Sequence, residues 1–356
     1  MKRIAVVILN WNGRPMLQRF LPSVLAHSDA ADVVVADNGS TDDSLPFLRE
    51  HYPQVRLIAL DKNYGFAEGY NRAIAGLTPD TSPDRRGEYD YYVLLNSDVE
   101  CTPGWLEPVV DMMDADPQIA IAQPKLLMYD QKDTFEYAGG AGGFIDRYGY
   151  PFCRGRLFST LEKDHGQYDD ECDIFWATGA CMFVSASVWK ALGGLDGDFF
   201  AHMEEIDFCW RTHLAGYRVH YCPESVVYHV GGGTLPKSSP FKTELNFRNN
   251  LSMLYKNLPN DRRCSVLAMR MWLDRVAALK FLLEGHVGEY RAVRKAHRQY
   301  RAWKPQLRQK RQCSLEAGEQ FERMSGHRPP IYQGLLLPEY YLLGRKTFSS
   351  LKGKFS

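Results

Sequence analysis

The sequence contains no C-x-x-C pair, and its eight cysteines (101, 153, 172, 181, 209, 222, 264 and 313) form no dense framework. That spacing excludes a disulfide-stapled fold and a structural zinc site. In a chain of 356 residues the thiols are expected to be reduced, mostly buried, and in a cytosolic setting. Long apolar runs are missing too. The stretch from Val266 to Leu283 is broken by Arg270, Asp274, Arg275 and Lys280, which excludes a spanning helix. The N-terminal apolar run stops at Asn10; it is too short for a signal-peptide core and reads as a first strand. Neither G-x-G-x-x-G nor G-x-x-x-x-G-K-[ST] occurs, so the ordinary dinucleotide and phosphate-loop readings lose their fingerprints. No internal repeat is visible.

Net charge is also absent, with 43 Lys+Arg against 43 Asp+Glu, but the cancellation hides an asymmetry. From Asn257 onward there are 20 basic and 8 acidic residues, whereas residues 1–256 carry 23 and 35. An acidic first part is thus joined to a basic last part.

The first part alternates two periodicities. Apolar runs at Ile4–Leu9, Val33–Ala36, Val55–Ala59 and Tyr91–Leu95 read as strands buried on both faces. Helical spacing lies between them, as in Leu17, Phe20, Leu21, Val24 and Leu25. Four such βα units predict an α/β fold with a doubly wound, mostly parallel sheet flanked by helices. Thr78–Glu88 reads as a mobile polar insertion, and residues 129–172, rich in Gly, Tyr and charge, as hairpins and loops. A domain of residues 1–240 followed by a basic, mainly helical region of residues 241–356 is the expected organisation.

Ligands of open α/β sheets sit beyond the carboxyl ends of the strands. Those ends carry Asn10-Trp11-Asn12-Gly13, Asp37-Asn38-Gly39-Ser40 and Asn96-Ser97-Asp98. Asp98, delivered by a very apolar strand, could hold a hard divalent cation that neutralises a diphosphate, or simply cap the next helix. A second cluster, Glu204-Glu205-Ile206-Asp207, opens a helix among Phe199, Phe200, Phe208 and Trp210. Helix-dipole stabilisation and an Asp207–Arg211 pair explain part of it, but apolar surroundings also tune a carboxylate as a general base. The third feature is His229 followed by Gly231-Gly232-Gly233, an imidazole that could complete a metal site with Asp98.

In chain order these pieces resemble the family 2 inverting glycosyltransferases of the GT-A fold, most of all their rhamnosyltransferase-like bacterial branch. The resemblance spans residues 3–235. It runs through Val6–Gly13, Val35–Asp42, Asn63-Tyr64-Gly65 to Asn71, Leu94–Asp98, Thr178–Met182, Glu204-Glu205 and His229. It implies that Asp37 binds the nucleotide base, helped by Asn10 and Asn12, and that Asn63, Gly65 and Asn71 shape the donor pocket. It also implies that Asn96 and Asp98 replace an Asp-x-Asp motif, with Mg²⁺ or Mn²⁺ on Asp98 and His229. Glu205, next to Glu204, becomes the catalytic base. The implied donor is a UDP- or dTDP-sugar and the implied acceptor a glycan or lipid-linked sugar of cell-surface polysaccharide synthesis. The stretch 129–172 is the expected acceptor wall, with Trp176 and Asp207; Trp176 reads equally as a core aromatic. An inactive nucleotide-sugar-binding subunit and a sugar-phosphate nucleotidyltransferase are the competing readings.

In the basic region, Leu267, Trp272, Leu273, Val276, Leu279, Phe281, Leu282 and Leu283 mark an apolar helix, and the run from Arg291 to Arg311 a basic one. Attachment to an anionic membrane surface on the cytoplasmic face is the functional expectation. Packing on the catalytic domain or homodimerisation is the plainer one. Nucleic acid is not expected, because aromatic interleaving is sparse and no recognition motif appears.

Overall fold

The computed structural model describes residues 2–77, 88–231 and 239–356, except residue 326 and the side chains of 313–325. The insertion expected at Thr78–Glu88 and the glycines Gly232 and Gly233 therefore lie wholly or mostly outside the described residues.

The expected βα units are present as β1 (Ile4–Asn10), α1 (Arg14–Ala26), β2 (Ala31–Asp37), α2 (Ser44–His51), β3 (Arg56–Ala59), α3 (Gly65–Ala75) and β4 (Tyr91–Asn96). There follow β5 (Val99–Cys101), α4 (Glu107–Ala115) and β6 (Ile119–Met128). The stretch read as hairpins and loops contains β7 (Gly143–Asp146), β8 (Pro151–Cys153), β9 (Arg156–Leu157) and β10 (Thr160–Leu161), paired antiparallel in succession, and β11 (Cys172–Asp173). The chain continues through β12 (Cys181–Ser185), α5 (Ala186–Leu192), α6 (Glu204–Leu214) and β13 (Arg218–His229). Its last part holds α7 (Pro240–Asn257), α8 (Asn260–Leu283), α9 (Val287–Ser325), β14 (Ile331–Tyr332) and α10 (Leu336–Tyr341).

Among the described residues nine strands form the main sheet, in the order β11-β13-β6-β12-β4-β1-β2-β3 with β5 paired to β13. Strands β3, β2, β1 and β4 are parallel, but β12 runs antiparallel to both β4 and β6. The sheet is thus mixed rather than mostly parallel. An apolar run reads the same in either direction, so the pattern that located β12 could not orient it.

Two apolar layers cover the sheet. One joins Ile4, Val6 and Ile8 to Leu17, Leu21 and Val24 of α1 and to Val109 of α4. The other joins Val7 and Leu94 to α3 and α6, to the small sheet β10-β9-β8-β7-β14, and to Leu251 and Leu254 of α7. The boundary expected at residue 240 is therefore a boundary of composition, not of packing. Ser239 caps α7, its hydroxyl accepting from Lys242 N at 3.1 Å, and Leu251 and Leu254 of that helix lie in the same apolar layer as Val7 and Leu94. No helix among the described residues is long and apolar enough to cross a membrane.

Candidate active site

Register brings the strand ends level: Asn10 lies opposite Asp37, and Leu9 opposite Asn96. Asn10 donates to Asp37 Oδ2 at 2.9 Å, and Ser40 N donates to Asp37 Oδ1 at 2.9 Å. The carboxylate of Asp37 is thereby fixed at the edge. Asn12, held at φ 50°, accepts from Thr41 N at 2.7 Å and ties the two loops together. Asn10 Oδ1 is buried without a partner, and a Cβ on Gly13 would come within 2.5 Å of it, so glycine is required for this approach. Asn38 organises the third loop. It donates to Asn63 Oδ1 at 3.2 Å and Gly65 O at 2.9 Å, and accepts from Tyr64 N at 3.0 Å.

Asp98 and His229, 131 residues apart, meet at 3.1 Å between Oδ1 and Nε2, with Asn96 Nδ2 3.4 Å from the same nitrogen. On the other side of the ring, Glu136 Oε1 lies 3.3 Å from Nδ1. Burial lowers the basicity of His229, but Glu136 and Asp98 outweigh it and raise its pKa to about 10. Burial likewise pushes the Asp98 carboxyl up, and His229 outweighs it to hold the group below its ordinary range. This position favours positive charge. Adjacent donors around an octahedral Mg²⁺ or Mn²⁺, bound at about 2.1 Å, are separated by about 3.0 Å. The Asp98–His229 spacing therefore fits two neighbouring ligands of one cation, with Glu136 orienting the imidazole from behind. Among the described residues no three His, Cys, Asp or Glu side chains converge on one point.

The acidic cluster starts α6 at the end of a tight loop. Phe200, His202 and Met203 all have left-handed φ, at 66°, 70° and 73°. Such values cost a non-glycine residue about 1–2 kcal/mol each, so surrounding contacts must hold them. Asn249 of α7 supplies those contacts. Its Nδ2 donates to the carbonyls of Phe199, Ala201 and His202 at 2.9, 3.0 and 2.8 Å, while Arg248 Nη2 donates to Phe199 O at 3.1 Å. From the opposite side, Phe66 N and Ala67 N of α3 donate to Phe200 O at 2.6 and 3.2 Å. The loop that presents the acids thus rests on the first turn of the helix that follows Asn63. Glu204 is buried and Glu205 partly open; each has an Oε2 without a partner. Burial pushes Glu205 up to about 7, and burial together with the neighbouring Glu205 carboxylate raises Glu204 above its ordinary range. Glu205 therefore titrates near neutral pH. Both Glu136 and Glu205 act electrostatically on the buried Cys153 thiol of β8.

A sequence profile described as "Glycosyl transferase family 2" matches residues 5–165, and one described as "Glycosyl transferase family group 2" matches residues 92–246. The chain belongs to glycosyl transferase family 2. It is similar to an N-acetylglucosaminyl-diphospho-decaprenol L-rhamnosyltransferase of Mycobacterium tuberculosis, 29% identical over 64% of this chain and 75% of that protein. It is also similar to the rhamnosyltransferase WbbL of Escherichia coli, 24% identical over 64% of this chain and 83% of that protein. Among solved structures, Staphylococcus aureus TarS 1–349 in complex with UDP-GlcNAc superposes with TM-score 0.53 at 14% identity, over 91% of each chain. GalNAc-T7 with UDP, GalNAc and Mn²⁺ superposes with TM-score 0.55 at 17% identity, over 72% of this chain and 48% of that one. The fold is GT-A.

Three expected site residues of this glycosyltransferase are engaged elsewhere. Asn71 uses both ends of its amide on Leu195, donating to its O at 2.8 Å and accepting from its N at 3.0 Å, and so braces α3 rather than facing a donor. Asp207 is fully buried, paired with Arg211 and Lys256 at 2.9 Å each and accepting from Asn257 at 2.8 Å; it is closed to any acceptor. Trp176 is a core aromatic whose indole donates to Phe144 O at 3.0 Å, and a Cβ on Gly143 would strike its ring. Sequence reasoning missed Glu136, Asn38 and Asn249. Asn38 lies inside a quoted motif and was readable. Glu136 sits in a stretch without periodicity, and Asn249 in a helix beyond both profiles.

Proposed function

We propose that this glycosyltransferase moves a sugar, with inversion, from a nucleoside diphosphate onto a lipid-linked or glycan acceptor in cell-surface polysaccharide assembly. The observation that carries this reading is Glu205. It is a carboxylate with a pKa near 7 on a partly exposed residue, its Oε2 buried without a partner, held by a loop that rests on the donor-side helix α3. Asp37, Asn10 and Asn63 would receive the nucleoside. Glu205 would accept the proton of an acceptor hydroxyl as its oxygen bonds to the anomeric carbon. The bond from that carbon to the diphosphate oxygen breaks on the opposite face, and the nucleoside diphosphate leaves with the electron pair. A Mg²⁺ or Mn²⁺ ion on Asp98 and His229 would neutralise the charge on that leaving group. The acceptor class is suggested by the mycobacterial relative, an N-acetylglucosaminyl-diphospho-decaprenol L-rhamnosyltransferase, and the divalent ion by the Mn²⁺ of GalNAc-T7.

The test is transfer from a panel of dTDP-, UDP- and GDP-sugars to a diphospholipid-linked N-acetylglucosamine, with and without Mn²⁺. Glu205→Gln is expected to abolish transfer and keep donor binding. Turnover that survives this substitution would remove Glu205 as the base. No transfer from any donor would leave a binding subunit.

A further inference from the structure

Helix α8 buries Val266, Leu267, Arg270, Asp274 and Ala278 against the protein. Its opposite face carries Met269, Trp272, Val276, Leu279 and Leu283 at spacings of three and four residues, and these are between 39% and 79% exposed. A soluble helix ordinarily turns such a stripe inward, not to water. Helix α9, joined to α8 by a short turn, buries Ala292, Val293, Ala296 and Tyr300. Its outward side carries Arg291, Arg294, Arg298, Arg301 and Arg308. Elsewhere in the same helices basic side chains are paired, Lys295 with Glu244 at 2.8 Å and His297 with Asp274 at 3.0 Å. Among the described residues none of these five arginines has a carboxylate within ion-pair distance.

We propose that the outward face of the α8–α9 hairpin docks onto an anionic lipid bilayer. The α8 stripe enters the headgroup boundary, and the α9 arginines meet lipid phosphates. Charge selects this occupant. A second copy of the chain would bring two rows of unpaired arginine together, whereas an anionic headgroup layer complements both the row and the stripe beside it. Trp272, in the middle of the stripe, is the residue type that settles at such a boundary. Docking would be peripheral, because α8 is interrupted by charge and cannot span.

The test is flotation of the full chain with phosphatidylglycerol-containing vesicles and with pure phosphatidylcholine vesicles; it needs no catalysis and is independent of the proposed transfer reaction. Expected is salt-sensitive flotation with the anionic vesicles alone, lost in Trp272→Glu/Leu279→Glu. Each reversal in Arg294→Glu/Arg298→Glu should weaken partitioning about fivefold or more. The arginine variant decides should the apolar one fail to fold, since both side chains lie outside the core. Absence of wild-type flotation, or flotation that both variants retain, would overturn the proposal. So would a concentration-dependent dimer dissolved by Trp272→Glu/Leu279→Glu in a chain that ignores vesicles.

Discussion

Replacing Asn249 with leucine keeps the volume of the side chain but removes the amide that holds the catalytic loop. Two N–H groups now serve three carbonyls, all at 2.8–3.0 Å, and the residue is fully buried, so water cannot take its place. Leaving the partly buried carbonyls of Ala201 and His202 without this donor costs about 1–3 kcal/mol. The three left-handed residues store a comparable amount, and they relax once the clamp is gone. The expected result is a local rearrangement of residues 199–203, because Arg248 and α3 still hold Phe199 and Phe200. A displacement of Glu205 by about 1 Å is worth about 100-fold in kcat. Donor affinity should change little, since Asn10, Asp37 and Asn38 do not touch α7. The assay is steady-state transfer with donor binding measured separately by calorimetry. In the variant the acid limb of the pH–rate profile should also move from near 7 toward an ordinary carboxylate as water reaches Glu205, with Glu204, Cys209 and Cys153 still facing it. An unchanged kcat, or a loss matched by an equal loss of donor binding, would refute the argument.

The wild-type rate should rise with pH through about 7, because Glu205 acts only when ionised. Stability should move the other way. The folded state holds this proton up to about 7 whereas the unfolded chain releases it near 4.5, so stability falls as pH rises between those values, and Glu205→Gln should melt higher than wild type at pH 8. Asp98→Ala should abolish the Mn²⁺ dependence of donor binding, and Glu136→Gln should weaken Mn²⁺ about tenfold in a titration without acceptor, by loosening His229. Lys256→Met would remove one of two cationic partners from each of the buried carboxylates Asp196 and Asp207, which keep Lys310 and Arg211, and lower stability by about 1.5–3 kcal/mol in a denaturation experiment; adding Asp207→Asn should recover part of it.

The strands carrying Asn10, Asp37 and Asn96 were readable because a buried parallel strand is a continuous apolar run and its end is marked by the first polar residues. The Asp98–His229 pairing was readable on the same ground, although 131 residues separate the two. β13 was harder. It continues from Cys222 to Val226 through a register shift, and the polar interruption there hides the continuity of the strand. β7 to β10 are two to four residues long, too short for alternation to show. α7 was misplaced for a physical reason. It buries Arg248, Asn249, Asn250, Ser252, Lys256 and Asn257, so its inward face carries the polar residues that periodicity assigns to water.

Asn249 holds the loop that precedes Glu205 and Lys256 pairs with Asp207 two residues beyond it, both from a helix that runs past residue 246, where the family match stops; if Glu205 is the base, that helix would set the reaction rate without touching either substrate. A shift of α7 by a fraction of an ångström would retune turnover and leave the choice of sugar intact. Speed and specificity could thus be adjusted by separate mutations.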